Sequence, residues 1–90
     1  MKFEKQNHLL KLLKAASNAN RLKILQILAE AKTPLNVTAI VGKLDVSQAT
    51  ISNHLSLLRN SGVVAARQDG LNMYYSIKDE AALKLLKILD

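Results

Sequence analysis

The sequence predicts a mainly α-helical fold with one β-hairpin (class α+β), in which four helices precede two strands and a fifth helix follows them. Apolar residues make up 49% of the chain and aromatic residues only 3%, so the core must consist of Leu, Ile, Val and Ala side chains, which suits packed helices. Apolar residues recur at helical spacing along most of the chain, and a strand-like pattern begins after Gly62. Ninety residues predict one domain, residues 1–90, with a modest core.

The fourth predicted helix, residues 47–61, has the clearest ends. Ser47 is a good N-cap because its hydroxyl can accept a hydrogen bond from a free backbone N–H of the first turn. Gly62 is a good stop because the left-handed conformation costs glycine no Cβ clash. One apolar stripe runs along the helix at spacings of four and three residues, and it consists of Ile51, Leu55 and Leu58.

The opposite face of this helix carries small and amide side chains, and residues 46–68 contain no acid. Amides match the donor–acceptor pair on adenine, and small side chains admit close approach to base edges. We interpret this helix as a recognition helix for a DNA major groove; the alternative is a polar surface helix that is short of charge. The face consists of Ala49, Ser52, Asn53, Ser56 and Asn60, with Gln48 at its edge.

The net charge of +6 favours an anionic partner, with nucleic acid first and an acidic membrane surface second. The chain has no cysteine, which excludes disulfides, thiolate metal sites and thiol nucleophiles. Without a signal peptide or an apolar run of membrane-spanning length, we expect a cytoplasmic location and no membrane partner. No Ser–His–Asp cluster or Gly-rich phosphate loop is present, so we expect neither an enzyme nor a cofactor.

The first two predicted helices each have a feature with two possible explanations. The first, about residues 4–16, is more apolar than one side of a small core needs, which leaves core packing and a partner surface both open. Asn18 is the predicted N-cap of the second helix, residues 19–30. Arg21 and Lys23 in its first turns oppose the helix dipole, which either a DNA phosphate or ordinary surface scatter would explain.

Residues 33–35 are predicted to be a loop or a short edge segment. Asn36 then caps a short third helix, residues 37–43, and a tight turn leads into the fourth helix. Two short helices joined by such a turn form the helix-turn-helix pattern, in which the first helix crosses the DNA backbone and the second enters the groove.

The predicted hairpin has strands at residues 63–68 and 71–77, joined by the turn signal Asp69-Gly70. A hairpin directly after a helix-turn-helix is a wing, and its tip could lie along a neighbouring groove or phosphate run. Asp79 caps the last helix, residues 80–89, which either closes the core or forms a dimer interface with the first helix.

In these features the chain resembles the ArsR/SmtB family of winged helix-turn-helix bacterial repressors over essentially its whole length. MarR-like and other winged-helix groups share the fold, but the Ser-Gln-x-Thr-x-Ser-x-His-Leu run and the Tyr-Tyr strand point to this family. The residues that carry the resemblance are Asn18, 21–25, 46–55, 58–59, 61–64, Arg67, Gly70 and 74–77.

The resemblance implies a homodimer that binds double-stranded DNA at an inverted repeat, with the two recognition helices about one DNA turn apart. The family's base-reading positions fall on Gln48, Ala49, Ser52 and Asn53. Phosphate or groove contacts that fix register are expected at Ser47, Thr50, Ser56, Arg59, Arg67 and Asn72. The dimer interface is expected to use the first and last helices, through Leu9, Leu12, Leu13, Leu83, Leu86 and Leu89.

The chain also departs from the family pattern. The cysteine positions of many metal-sensing members hold Asn36 and Thr38, and the last helix matches the family's other metal site only at Asp79. We therefore expect no metal site. The wing position that is often basic in the family is Leu71, which weakens the case for a strong wing contact with DNA.

The two histidines make a poor metal-ligand set, because they lie far apart without acid or thiol partners in range by spacing. We expect His8 to be a packed or surface residue, and His54 to make a structural hydrogen bond or a phosphate contact.

The leading hypothesis is a homodimeric repressor that covers a promoter. The alternative is a winged-helix module that pairs with another regulator and has little specific DNA binding. A small molecule, a partner protein and the absence of any inducer all stay open as the regulatory signal.

Overall fold

The computed structural model describes residues 2–89 of the chain, and the side chains of residues 3–89. Met1 and Asp90, which the predicted domain includes, lie outside the described residues. The order of elements is the predicted one. The elements are α1 (Lys2–Ala16), α2 (Ala19–Glu30), α3 (Val37–Val41), α4 (Gln48–Asn60), β1 (Val64–Asp69), β2 (Asn72–Ile77) and α5 (Glu80–Ile88).

The helix starts confirm the predicted N-caps. The Oδ1 atom of Asn18 accepts hydrogen bonds from the backbone N–H groups of the first turn of α2, at 3.0 and 3.1 Å. Asn36 accepts from Ala39 N at 2.9 Å, and Ser47 Oγ accepts from Thr50 N at 3.2 Å. These short polar side chains satisfy backbone donors that have no partner within the helix.

The end of α4 confirms the predicted glycine stop. Gly62 has a φ of +78°, and its N–H donates to Arg59 O at 3.0 Å. The next N–H, that of Val63, donates to Leu58 O at 3.0 Å. This pair of bonds is a Schellman motif, which reverses the chain and satisfies the last carbonyls of the helix. The chain therefore enters β1 directly beside the C-terminal end of α4.

The helix α3 is shorter than predicted and ends at Val41 rather than at residue 43. Beyond Gly42 the chain tightens, since Lys43 N donates to Ile40 O at 2.9 Å and Leu44 N to the same oxygen at 3.2 Å. The first of these bonds spans three residues rather than four, as is common where the last turn of a helix tightens. The tightened turn brings α4 back across α3, and these two helices form the helix-turn-helix.

The turn of the hairpin lies one residue later than predicted. Asp69 pairs with Asn72, so Gly70 and Leu71 are the two central residues. Gly70 has a φ of +64°, whereas Leu71 has a negative φ, and this combination fits a II′ turn, which needs glycine only at its first central position. Leu71 therefore lies at the tip of the hairpin rather than in the returning strand.

Leu35 pairs with Tyr75 of β2 in a single antiparallel bridge at the edge of the hairpin. The sequence predicted a loop or a short edge segment at residues 33–35. Leu35 N donates to Tyr75 O at 3.0 Å, and Tyr75 N donates to Leu35 O at 2.8 Å. At the base of the hairpin, Val63 O accepts from Lys78 N at 2.9 Å and from Asp79 N at 3.2 Å. The hairpin is therefore held at its base to both the helix-turn-helix and the start of α5.

The core contains residues from every helix and both strands. All its large side chains are aliphatic except Tyr75, as the composition predicted. Among residues 2–89, no helix is long and apolar enough to cross a bilayer. The core consists of Leu12, Ala15, Ala16, Ile24, Leu25, Leu28, Ile40, Ile51, Leu55, Leu58, Val63, Val64, Tyr75, Ala82 and Leu86.

Candidate nucleic-acid interface

The two faces of α4 differ sharply in exposure. The apolar stripe is fully buried, with Ile51, Leu55 and Leu58 all 0% exposed. This burial fixes the rotation of the helix about its axis, so the side chains on the other face point outward. Of the predicted base readers, Gln48, Ala49 and Asn53 are exposed, and Ser52 is half-buried.

The N-terminus of α4 is held by two hydroxyls that bond each other. Ser47 Oγ accepts a hydrogen bond from Thr50 N. The Ser47 hydroxyl also donates to Thr50 Oγ1, at an O–O distance of 2.8 Å. A hydroxyl has one hydrogen and can accept as well as donate. The hydrogen of the Thr50 hydroxyl therefore remains available as a donor to a phosphate oxygen.

The remaining predicted phosphate contacts lie on two elements. Ser56 and Arg59 are exposed on α4, and Arg59 lies in the last turn, where its charge complements the helix dipole. Arg67 and Asn72 are exposed on one face of the hairpin. Asp69, directly across from Asn72, lies between them on that face, so the wing carries an acid next to its single arginine.

Arg21 has a structural role that sequence reasoning missed. Its Nε donates to Ala15 O at 2.6 Å, in the last turn of α1, and its Nη1 lies 3.5 Å from His54 Nδ1. Neither of the two readings considered from the sequence, a phosphate contact or surface scatter, describes this arrangement. The guanidinium links α1, α2 and α4, and for His54 this is the structural contact, one of the two roles that we expected.

His8 also has a partner that its sequence neighbours do not show. Its Nε2 lies 3.0 Å from Asp79 Oδ2, and its side chain is 60% exposed, as expected of a surface residue. The two residues lie near opposite ends of the chain, and only the fold brings them together. Among the described residues, no group of three or more His, Cys, Asp or Glu side chains could hold a metal ion.

The predicted dimer residues divide into two sets. Leu12 and Leu86 are 2% and 5% exposed and belong to the core of the protomer, so they have little surface left for a partner. The other four are at least 38% exposed, and they are Leu9, Leu13, Leu83 and Leu89. Phe3, Leu10 and Ile88 are exposed as well, and the prediction did not include them.

Comparison with known proteins places this arrangement in a family. The model of the arsR family of bacterial regulatory proteins matches residues 18–66, from the N-cap of α2 into β1. The chain belongs to the arsR family. It is therefore a winged helix-turn-helix regulator of transcription that binds DNA, as the resemblance implied.

Relatives of known sequence support this assignment over the whole chain. An uncharacterized HTH-type transcriptional regulator of Methanocaldococcus jannaschii, MJ1325, is 36% identical over 88 residues, which are 98% of each chain. Four other curated relatives are longer, and the chain spans 62 to 63% of their length.

Solved structures show the same fold. The transcriptional repressor PagR of Bacillus anthracis has a TM-score of 0.88 and 33% identity, over 98% of this chain and 99% of that chain. The homodimeric winged helix-turn-helix domain of Mb0332 from Mycobacterium bovis has a TM-score of 0.82 and 31% identity, over 98% and 80% of the two chains. The Mb0332 protein is described as a possible ArsR-family transcriptional regulator.

Asn36 and Thr38 occupy the positions that hold cysteines in metal-sensing members of the arsR family. Asn36 caps α3 through its Oδ1, and Thr38 is exposed in the first turn of that helix. At the start of α3, these two positions therefore carry uncharged side chains, and one of them caps the helix.

Proposed function

We propose that residues 1–90 form a single DNA-binding domain that works as a homodimer, binds an inverted-repeat operator and represses transcription by covering a promoter. The observation that carries the proposal is the exposed, acid-free face of α4, which the fully buried stripe of Ile51, Leu55 and Leu58 holds outward. A rigid helix with small and amide side chains can approach base edges closely in a major groove.

The base-reading role belongs to the first two turns of α4. Recognition helices contact base edges mainly through their N-terminal residues, and Gln48, Ala49, Ser52 and Asn53 occupy those turns. The amides of Gln48 and Asn53 can each bond adenine at two points, while Ala49 and Ser52 leave room for close approach or for a thymine methyl.

The phosphate contacts in this proposal surround the reading residues. They anchor the helix and set its register without reading sequence. The side chains assigned to this role are exposed or half-buried and none is acidic. They are Ser47, Thr50, Ser56, Arg59, Arg67 and Asn72.

The dimer in this proposal forms through the exposed apolar side chains of α1 and α5. Leu9 and Leu13 on α1 are 48% and 41% exposed, and Leu89, directly after α5, is 50% exposed. A cluster of exposed apolar residues marks an interaction surface, and the homodimeric Mb0332 domain has the same fold. A two-fold dimer would place the recognition helices about 34–36 Å apart, one DNA turn.

Repression is the direction of regulation that we propose, because a dimer seated on an inverted repeat blocks access to the promoter it covers. PagR of Bacillus anthracis is named a transcriptional repressor, whereas the relative HlyU of Vibrio cholerae is named a transcriptional activator. In vitro transcription from a promoter that contains the selected operator tests the direction: added protein should lower transcript yield, and a rise would overturn the repressor assignment.

The primary test is selection of DNA from a random library, followed by fluorescence-anisotropy titration of the selected duplex and a scrambled duplex at several salt concentrations. We expect an inverted repeat that binds at least about 10³-fold more tightly than the scramble at physiological salt. Equal, salt-sensitive binding to both duplexes would instead favour the module that pairs with another regulator.

The reading role is tested by Asn53→Ala, with Asn60→Ala as its matched control. Both asparagines are exposed on α4, but Asn60 lies two turns further from the N-terminus of the helix. Asn53→Ala should cost about 1–3 kcal/mol on the operator and much less on the scramble, while Asn60→Ala should change neither. Equal losses on both duplexes would show that Asn53 does not read bases.

The dimer is tested by Leu13→Ser, with Leu57→Ser as control, using light scattering after size exclusion. Leu13 and Leu57 are both 41% exposed, but Leu57 lies on α4 outside the proposed interface. Leu13→Ser should shift the protein toward monomer and Leu57→Ser should not. A dimer unaffected by Leu13→Ser would place the interface elsewhere.

A further inference from the structure

The most exposed apolar side chain of the described residues lies at the tip of the wing. Leu71 is 102% exposed, more than any residue on the proposed dimer surface. It occupies the second central position of the hairpin turn, after Gly70. A leucine here makes no contact with the core, so packing of the protomer does not explain its bulk.

The hairpin holds this side chain in a defined place. Six residue pairs connect β1 and β2 from Val64↔Ile77 to Asp69↔Asn72, and Gln68 Nε2 donates to Gly70 O at 3.4 Å across the turn. The base of the hairpin follows the Schellman turn of α4 directly. The tip therefore keeps its position relative to the recognition helix.

The wing is long enough to reach beyond the groove that α4 occupies. At about 3.4 Å per residue, β1 extends roughly 17 Å from the end of α4, whereas the major groove is about 12 Å wide. A hairpin of this length that starts beside a helix in the major groove is long enough to cross the sugar–phosphate ridge to the adjoining minor groove. That groove is about 6 Å wide, which admits a single aliphatic side chain from a two-residue turn.

The net charge of the wing does not favour binding of its tip to DNA phosphate groups. The strands and turn, residues 64–77, contain one arginine and one aspartate, Arg67 and Asp69, so their net charge is zero. Both residues line one cleft beside Pro34, on one face of the hairpin. The two central residues of the turn present the backbone of Gly70 and the side chain of Leu71, with the exposed closing pair Asp69 and Asn72 beside them.

We propose that Leu71 is an apolar wedge that enters the DNA minor groove beside each operator half-site and opens a base step there. Aliphatic side chains that enter the minor groove partly unstack a step and kink the duplex toward the major groove. The energy needed is lowest at flexible pyrimidine–purine steps and highest in stiff A-tracts. Leu71 thereby makes the flanking sequence part of the operator without a hydrogen bond to any base. This inference rests on the proposed function, since it requires α4 to lie in the major groove.

The experiment compares the wild type with Leu71→Ala, Leu71→Met and Leu71→Lys on the selected operator. The flanks carry either a TA step or an A-tract at the position that the wing protects in hydroxyl-radical footprints. Anisotropy gives affinity across a salt series, energy transfer between end labels gives the bend, and 2-aminopurine in the flanking step reports unstacking. Because Leu71 is fully exposed, circular dichroism should show the same fold for all four proteins.

We expect Leu71→Ala to bind the TA-flanked operator roughly 50-fold more weakly, from the loss of three buried carbons. Its salt dependence should be unchanged, its bend smaller and its 2-aminopurine signal absent, while Leu71→Met keeps all three properties. If Leu71→Ala binds and bends the operator like the wild type, the wedge is refuted while sequence reading by α4 stands. If Leu71→Lys binds more tightly with a steeper salt dependence and Leu71→Ala is unchanged, the tip lies against phosphate and the wedge is also refuted. A wild type without operator preference would instead refute the proposed function itself.

Discussion

His8 and Asp79 join the two helices of the proposed dimer surface, with His8 Nε2 3.0 Å from Asp79 Oδ2. The same carboxylate caps α5, because its Oδ1 accepts from Ala81 N at 2.9 Å. The His8 side chain is 60% exposed and that of Asp79 only 9%. Because the Asp79 side chain is the buried one, we expect its cap on α5 to contribute more to stability than its contact with the solvent-exposed imidazole of His8.

Asp79→Ala removes both the cap and the contact with His8. We expect the free energy of unfolding to fall by about 1 kcal/mol, the usual cost of losing an N-cap, as measured by urea denaturation at fixed protein concentration. Asp79→Asn keeps a capping oxygen and should lose much less. Equal losses for the two variants would mean that the contact of the carboxylate with His8, rather than the cap, holds α5 in place.

Arg21→Met tests the link between α1, α2 and α4. The change removes the bonds to Ala15 O and His54 Nδ1 while keeping an aliphatic chain of similar length, and we expect a loss of about 1–3 kcal/mol in unfolding free energy. Lys23→Met is the control, because Lys23 is exposed on the same helix and such surface changes usually stay within about 0.5 kcal/mol. Similar effects in both variants would show that the Arg21 bonds contribute nothing specific.

Gly62→Ala tests the backbone conformation that ends α4. Nothing lies within 4 Å of a Cβ placed at Gly62, so only its φ of +78° opposes the alanine. We expect a loss of about 1–2 kcal/mol, the cost of a left-handed residue with a Cβ. Gly42→Ala is the control: Gly42 has a φ of −64°, and its added Cβ would meet Ala39 O at an ordinary 3.6 Å. Thermal unfolding should show Gly42→Ala unchanged or slightly more stable, and a larger loss at Gly42 than at Gly62 would contradict this account.

Arg67→Ala should weaken binding to all DNA sequences alike, because a phosphate contact carries no sequence information. The slope of log affinity against log salt should become shallower by about one, since one contact with released counterions is lost. Asn72→Ala lies on the same face of the wing but removes no charge, so its slope should match the wild type. An unchanged slope for Arg67→Ala would show that this arginine does not touch phosphate.

Local chemistry was readable from single residues. Asn18, Asn36, Ser47 and Asp79 act as the N-caps that their side chains predicted, and Gly62 takes the left-handed conformation. These features depend on backbone groups within a few residues, so no knowledge of the tertiary fold was needed. The turn of the hairpin was placed one residue early, because both Asp69-Gly70 and Gly70-Leu71 can form a two-residue turn and only strand pairing chooses between them.

The sequence by itself determined the order of the elements, the buried stripe of α4 and the acid-free face opposite it, because helical periodicity and capping act over short distances. Only the tertiary structure decided that Leu12 and Leu86 belong to the core while Leu9 and Leu13 stay exposed, since all four share the same apolar chemistry and differ only in what packs on them. It also decided the contacts of Arg21 with His54 and of His8 with Asp79. Those pairs lie far apart along the chain, and no local pattern records which distant residues the closed core will bring together.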